Sequence, residues 1–227
     1  MLTFADNIWL ADGPVVDVAG FRYPTRMAVI RLMDGGLFIW SPVALSERLR
    51  EAVDALGEVR HLIAPNAHHH LFLADWQRAY PTAKLYAPPG LPRRRKDLRF
   101  DIDLGDAPDA AWAGDLDQVH VPNLIATEVV FFHRASRTVL FTDLIQHFKP
   151  GWFIGWRALV ARLDLMAAPE PEVPRKFRLA FVDRPAARDS LRRILAWPAE
   201  KVVMAHADPV ERDGRAFISR VFRWLLI

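Results

Sequence analysis

Apolar and polar positions along the chain alternate in short blocks rather than long helical stripes, and most of the blocks read as strands. Residues 7–13 (NIWLADG), 27–32 (MAVIRL) and 37–42 (LFIWSP) are rich in β-branched and aromatic side chains, and Asp34-Gly35-Gly36 separates the last two. Glycine supplies the positive φ of a tight turn, so a hairpin is expected there. Ser46 is a suitable N-cap for a helix to about Leu56, with Glu47 and Glu51 near its positive end. Residues 61–65 (HLIAP), a helix-like run from Leu71 to Ala79 and residues 84–87 (KLYA) follow as strand, helix and strand, the order of a βαβ unit.

Three further strand patterns occupy residues 117–122 (DQVHVP), 128–133 (EVVFFH) and 138–143 (TVLFTD), the last two joined by the short polar link 134–137. Residues 148–166 carry Trp152, Phe153, Trp156 and ALVARLDLM, which predicts an amphipathic helix whose tryptophans pack into the core or cap a pocket. Pro169, Pro171 and Pro174 mark a connector, followed by a helix near residues 186–195, a strand at 201–206 (KVVMAH) and a final helix from Gly214 to Leu226. That last strand needs a sheet to join, so the connector is not a domain boundary and residues 1–227 are expected to form a single α/β domain.

Composition narrows the function classes. A 52% hydrophobic chain can fill a substantial core, yet no apolar run reaches the roughly eighteen residues of a membrane span. The N-terminus lacks the basic-then-apolar order of a signal peptide, so a cytoplasmic protein is expected. Without cysteine, any metal must be held by His, Asp or Glu. The net charge of +3 is only mildly basic, and the cluster Arg93, Arg94, Arg95 and Lys96 has no aromatic interleaving. It reads as a solvated loop, which argues against a nucleic-acid partner and for a small-molecule substrate; self-association into a homo-oligomer is left open.

The densest chemistry is His68-His69-His70, at the junction of HLIAP with the following helix. Imidazole is the commonest protein ligand of transition metals, and residues i and i+2 of extended chain share a side. On that reading His68 and His70 share one ion and His69 faces elsewhere, while the positive end of the downstream helix discourages protonation. TVLFTD ends in Asp143 and KVVMAH ends in His206, and ligand sites in α/β architectures gather at strand ends. His68, His70, Asp143 and His206 are therefore expected to converge, with His133 well away in its hairpin.

These motifs resemble the metallo-β-lactamase fold superfamily over the whole chain: a histidine cluster after an early strand, LFTD in a middle strand and MAHAD at a late one. The resemblance implies an αββα four-layer sandwich, with Asp143 at the bridging-aspartate position and His206 at the last histidine. Several positions depart from the superfamily pattern. Asn66-Ala67-His68-His69-His70-Leu71 stands where His-x-His-x-Asp-His is usual; counted from Asn66, His68 falls on a histidine position and His70 replaces the aspartate, whereas a one-residue shift puts His70 at the motif's last histidine. Pro122-Asn123-Leu124-Ile125 stands where a Gly-His loop is usual, with Glu128 a few residues on as either a substitute ligand or a surface strand residue, and Trp40-Ser41-Pro42 ends the strand that usually ends in aspartate. The resemblance implies a divergent metal-dependent hydrolase with Asp143 as the catalytic residue. One zinc ion, or iron or manganese, would act per chain on an ester, thioester, amide or phosphoester. The alternative is a binding or scaffold protein that keeps the fold without catalysis.

Overall fold

The short blocks become short strands because their period-two apolar positions must face two cores at once. In the computed structural model, which describes all 227 residues, the first half of the chain comprises β1 (Leu2–Ala5), β2 (Ile8–Asp12), a small hairpin of β3 (Val16–Val18) and β4 (Phe21–Tyr23), β5 (Arg26–Arg31), β6 (Leu37–Trp40), α1 (Glu47–Asp54), β7 (Val59–Ile63), α2 (Leu73–Ala79), β8 (Lys84–Ala87), α3 (Leu91–Arg94) and β9 (Ile102–Asp103). The second half comprises β10 (Leu116–Val121), β11 (Glu128–His133), β12 (Thr138–Gln146), α4 (Trp156–Leu163), α5 (Arg175–Leu179), α6 (Arg184–Ala196), β13 (Lys201–His206), α7 (Gly214–Val221) and α8 (Arg223–Leu226).

Two mixed sheets result. The first has seven strands in the order β1-β2-β5-β6-β7-β8-β9, and the second has four in the order β10-β11-β12-β13. Alternation along each strand sorts side chains between layers. Ala28, Ile30, Phe38 and Trp40 of the first sheet meet Val129, Phe131, Leu140 and Val203 of the second in the inter-sheet core. Their neighbours Met27, Val29, Leu37 and Ile39 face outward and are covered by Val53 of α1 and by Leu73 and Trp76 of α2. On the far side Val139, Phe141, Val202 and Met204 pack under Leu191 of α6 and Ile218 of α7. The layers therefore run helix, sheet, sheet, helix, the expected αββα sandwich.

Local signals account for most element boundaries. Ser46 Oγ accepts from Leu49 N at 3.2 Å and opens α1, and the Asp183 carboxylate accepts from Ala186 N at 3.0 Å and opens α6. β5 and β6 form the expected antiparallel hairpin, and β12 and β13 lie parallel across the proline connector. The connector itself joins the sheet edge, where Glu172 and Gln146 exchange backbone hydrogen bonds of 3.0 and 3.1 Å. The aromatic segment departs from expectation. Instead of a helix over residues 148–166, β12 runs to Gln146 and helix begins only at Trp156, because Gly151 and Gly155 hold positive φ of 84° and 58°. The hairpin β3–β4 is a separate unit, since three-residue strands carry too little period-two signal to be read. No helix is long and apolar enough to cross a membrane.

Because β13 follows the connector yet pairs with β12, we propose that residues 1–227 unfold as one cooperative unit. Phe38 is fully buried between the sheets against Trp112 and Phe131. Phe38→Ala is expected to lower the unfolding free energy by about 3–5 kcal/mol in urea denaturation, with a single transition retained. Two separated transitions would contradict the one-unit proposal.

Candidate metal centre

The site begins with a break in strand pairing. β12 and β13 are in register as far as Phe141 and Met204, but the next pair is Gln146 with His206. Residues 142–145 of β12 thus stand against Ala205 alone, an excursion that strips their backbone N–H groups of β13 partners. Glu128 replaces those partners. Its fully buried carboxylate accepts from the backbone N–H of Thr142 at 2.6 Å, Asp143 at 2.8 Å and Leu144 at 3.1 Å. Burial pushes the Glu128 carboxyl up to about 7, the Asp143 carboxylate adds to the rise, and the N–H donors oppose it. Both oxygens are thereby engaged, so Glu128 shapes the loop that presents Asp143, which corrects its expected role as a substitute ligand.

The histidine segment is a turn, not extended chain. Asn66, fully buried, accepts through Oδ1 from the backbone N–H of His68 at 2.8 Å and His69 at 3.1 Å. Through Nδ2 it donates to Thr142 Oγ1 at 2.9 Å and Asp143 Oδ2 at 2.6 Å. The curl breaks the alternation on which the i, i+2 argument rested, and it delivers the middle histidine. His69 Nε2 lies 3.5 Å from Asp143 Oδ2, and His206 Nε2 lies 3.3 Å from Asp143 Oδ1. Ligand atoms of His69, Asp143 and His206 all fall within 4.8 Å of one another.

The other expected members stand elsewhere. His68 is exposed and its Nε2 pairs with the carbonyl of Ile125 at 2.8 Å. His70 receives the Arg95 guanidinium at Nδ1, 2.8 Å away. Asp143 and His206 do converge, and His133 is distant, bonded through Nδ1 to Ser136 Oγ at 2.7 Å. The signal that would have favoured His69 over its neighbours is Asn66, whose side chain commonly bonds backbone two residues on and so forecasts a turn.

The far side of each ring fixes its protonation. His206 Nδ1 is 2.8 Å from the carbonyl oxygen of Pro24, an acceptor only, so Nδ1 carries the proton. His69 Nδ1 is 2.7 Å from Ser41 Oγ, whose own hydrogen goes to the carbonyl of Arg26 at 3.0 Å, so this nitrogen also donates. In the neutral rings both Nε2 lone pairs therefore face the Asp143 carboxylate. Acceptor facing acceptor is repulsive unless a cation, either a metal or an added proton, lies between them. Protonating His69 is costly: burial lowers its pKa, and the attraction of Asp143 only partly offsets this. For Asp143 burial acts to raise the pKa; the carboxyl is held well below the usual range only when His206 and His69 turn positive or donating groups toward it, so a proton or a metal ion shared with the two Nε2 atoms is what keeps the carboxylate charged. Ligands about 2.0–2.2 Å from one ion in tetrahedral array stand roughly 3.4 Å apart; each ring nitrogen is that close to one of the two Asp143 oxygens, and single ligand atoms of the three residues lie within 4.8 Å, so a small adjustment of side chains brings them around one ion. The donor set fits a divalent metal.

A cavity of about 820 Å³ opens onto these three residues. Its walls include Phe21 and Tyr23 of the β3–β4 hairpin, Val160 and Leu163 of α4, and Phe177 of α5. The hairpin and α4 form one cover: Phe21 packs edge-on against Phe153 and Trp156, and Arg157 Nε donates to the carbonyl of Gly20 at 2.6 Å. Trp152 and Trp156 thus belong to the cover rather than to the main core. Gln146, 1% exposed, borders the cavity with its Oε1 lacking any hydrogen-bond partner.

A family model described as a domain of unknown function, DUF4336, matches residues 5–92. No curated protein sequence matches. Among solved structures, the chain is similar to the DIM-1 metallo-β-lactamase, with 14% identity, a TM-score of 0.65 and coverage of 98% of this chain and 95% of that one. It is also similar to a metallo-β-lactamase from Pontibacter korlensis, with 12% identity, a TM-score of 0.62 and coverage of 99% and 97%. The Flv1 flavodiiron core from Synechocystis sp. PCC6803 matches with 13% identity, a TM-score of 0.67 and coverage of 99% of this chain and 60% of that one. The chain has the metallo-β-lactamase fold.

Burial governs how the metal-free protein responds to acid. His61, His69, His70, His120 and His133 all have pKa values lowered from the ordinary 6.5, in each case chiefly by burial. Below pH 6.5 the unfolded chain takes up protons at these rings that the folded chain refuses, so stability falls as pH falls. Glu128, raised to about 7, acts in the opposite sense, but one carboxyl stands against five rings. Urea midpoints of the metal-free protein are expected to drop steadily from pH 7 to pH 5, and a level or rising midpoint would contradict this balance.

Proposed function

We propose that this chain, with its metallo-β-lactamase fold, is a metal-dependent hydrolase in which His69, Asp143 and His206 hold one divalent ion. The observation that carries the reading is the pair of Nε2 atoms 3.5 and 3.3 Å from one buried carboxylate, each ring held at Nδ1 on its far side by Ser41 or the Pro24 carbonyl. That is the outer support expected of metal-ligating histidine, which fixes tautomer and raises ligand basicity. Two imidazoles and a carboxylate suit zinc, and equally iron or manganese, since no thiolate is present to select among them. When bound, such an ion supplies Lewis acidity and brings the pKa of coordinated water to about 7.

The chain's own residues set the conditions for that chemistry. Asn66 and Glu128 hold the Asp143 side chain and backbone, so the carboxylate cannot swing away from the histidines. The cover of β3–β4 and α4 limits water access and offers apolar walls against which an ester, thioester, amide or phosphoester can lie. Gln146 presents an unsatisfied acceptor to an N–H or O–H of the bound molecule. A single ion is proposed because His69, Asp143 and His206 are the residues whose ligand atoms cluster within 4.8 Å, while Glu128 engages both oxygens with backbone N–H groups.

Elemental analysis after zinc, iron or manganese loading is expected to give about one ion per chain. His69→Ala and Asp143→Ala should abolish retention without unfolding the protein, while His68→Ala and His70→Ala retain it. Ser41→Ala, which removes the acceptor behind His69, should weaken the ion by about 10–100-fold. Hydrolysis of an ester, thioester, lactam and phosphodiester panel should vanish with Asp143→Ala. Wild type that binds the ion yet hydrolyses none of these would give precedence to a binding role, and wild type that retains no metal would remove the proposal.

A further inference from the structure

The charges bordering the cavity nearly cancel, and the residue left over indicates what the cavity takes. Apart from the histidines, its charged side chains are Asp143, Asp164, Lys176 and Arg94. Asp143 accepts from Asn66 and shares its proposed cation with His69 and His206, as described above. Lys176 Nζ sits 3.0 Å from Asp164 Oδ2 and 3.4 Å from Tyr23 OH, so these two form a neutral pair in the wall. Arg94 has no carboxylate within 4.0 Å and makes no side-chain hydrogen bond, and neither do its neighbours Arg93 and Lys96; all three are exposed. The neighbouring Arg95 anchors this segment to the site, donating to the carbonyl of His70 at 2.7 Å and pairing with Asp97.

Besides the polar side chains of Thr25, Ser41 and Gln146 and the histidines, the wall is largely apolar, and apolar side chains are also exposed outside the cavity. Leu71, Val160 and Leu163 line it while remaining 52%, 40% and 55% exposed, and Ile125 lines it at 46%. Ile154 and Leu159 beside them are 77% and 50% exposed. Single exposed apolar side chains are ordinary, but several that remain exposed while lining one pocket are a feature of binding sites. The volume lies in the upper part of the roughly 300–1,000 Å³ typical of small-molecule sites.

We infer that the cavity binds an anionic amphiphile, its apolar body against α4 and the β3–β4 hairpin and its carboxylate or phosphate head at Arg94, with Arg93 and Lys96 adding positive potential. This rests on the hydrolase reading in one respect only, that the bound molecule is then the substrate, with its scissile ester-type bond beside Asp143. Uncharged amphiphiles gain the apolar contact alone. Amphiphiles with a cationic head meet repulsion at the same rim.

Calorimetric titration of the metal-free protein tests the inference separately from metal binding. Octanoate, octan-1-ol and octylammonium share a tail and differ in head charge. Octanoate is expected to bind about tenfold more tightly than octan-1-ol at low salt, with octylammonium weakest, and the preference should shrink at high salt because Arg94 is exposed. Arg94→Glu should remove the preference for octanoate and leave octan-1-ol unchanged. Val160→Asn, at an already half-exposed position, should weaken all three. Co-sedimentation with phosphatidylglycerol vesicles, lost in Arg94→Glu, would assign a bilayer source to the same head-and-tail chemistry, whereas octanoate binding without co-sedimentation would assign a soluble one; both support the inference. Octanoate that fails to bind, binds no better than octan-1-ol, or is indifferent to Arg94→Glu would overturn it. Metal content is read independently, so either proposal can fail alone.

Discussion

A buried carboxylate has to be compensated, and the architecture around Asp143 is organised by that requirement. Removing a charge from water costs several kcal/mol unless partners replace the lost solvation. Here the groups around it, Asn66 which donates a hydrogen bond and His69 and His206 which can share a cation with it, come from opposite sheets. Asn66 and His69 follow β7 of the seven-stranded sheet, while His206 ends β13 of the four-stranded sheet that also carries Asp143. The two sheets must therefore be packed face to face before the site exists, and the inter-sheet core of Phe38, Trp40, Phe131 and Val203 sets its dimensions.

A short stretch between the hairpin and β5 orients both rings. The carbonyl of Pro24 takes the His206 Nδ1–H, and the carbonyl of Arg26 takes the Ser41 hydroxyl that in turn accepts from His69. Arg26 also reaches across with its guanidinium to the carbonyls of Met204 and Ala207, tying the end of β13 to the first sheet. Ser41 holds a positive φ of 54°, an uncommon conformation for a residue with a Cβ, and it sits where a side chain must turn toward the site. Strain at that position is repaid by a fixed tautomer at His69. The same stretch connects directly to β3–β4, so the cover over the cavity and the orientation of the ligands share one piece of backbone.

Much of the fold was legible because strand alternation and turn chemistry are local properties. The Asp34-Gly35-Gly36 hairpin and the Ser46 cap follow from residues close in sequence, and that the last strand joins a sheet follows from its need for one; that it pairs with β12, and in parallel, does not. Asp143 and His206 were legible for a related reason, since each ends a well-formed strand pattern. His69 was not: which of three consecutive histidines faces inward depends on the turn that Asn66 imposes, and that turn is fixed by Thr142 and Asp143, more than seventy residues away. Glu128 was misread because its partners are backbone N–H groups freed by an excursion in β12, which no side-chain pattern records. The aromatic segment was overextended into helix because its apolar spacing is helical, while Gly151 and Gly155 interrupt it.

Throughout this account His69 and His206 are protonated on Nδ1, leaving both Nε2 atoms free to share a cation with Asp143. Long-range proton–nitrogen correlation spectra of the histidine-labelled, metal-free protein near neutral pH report each tautomer directly, and a zinc titration then reports which nitrogen the metal takes. Nδ1–H is expected on both rings, with only their Nε2 signals, and not those of His68 or His70, moving to metal-bound positions. Neutral rings protonated on Nε2 and donating to Asp143, unchanged by zinc, would show a hydrogen-bond network that needs no ion and would contradict the metal centre.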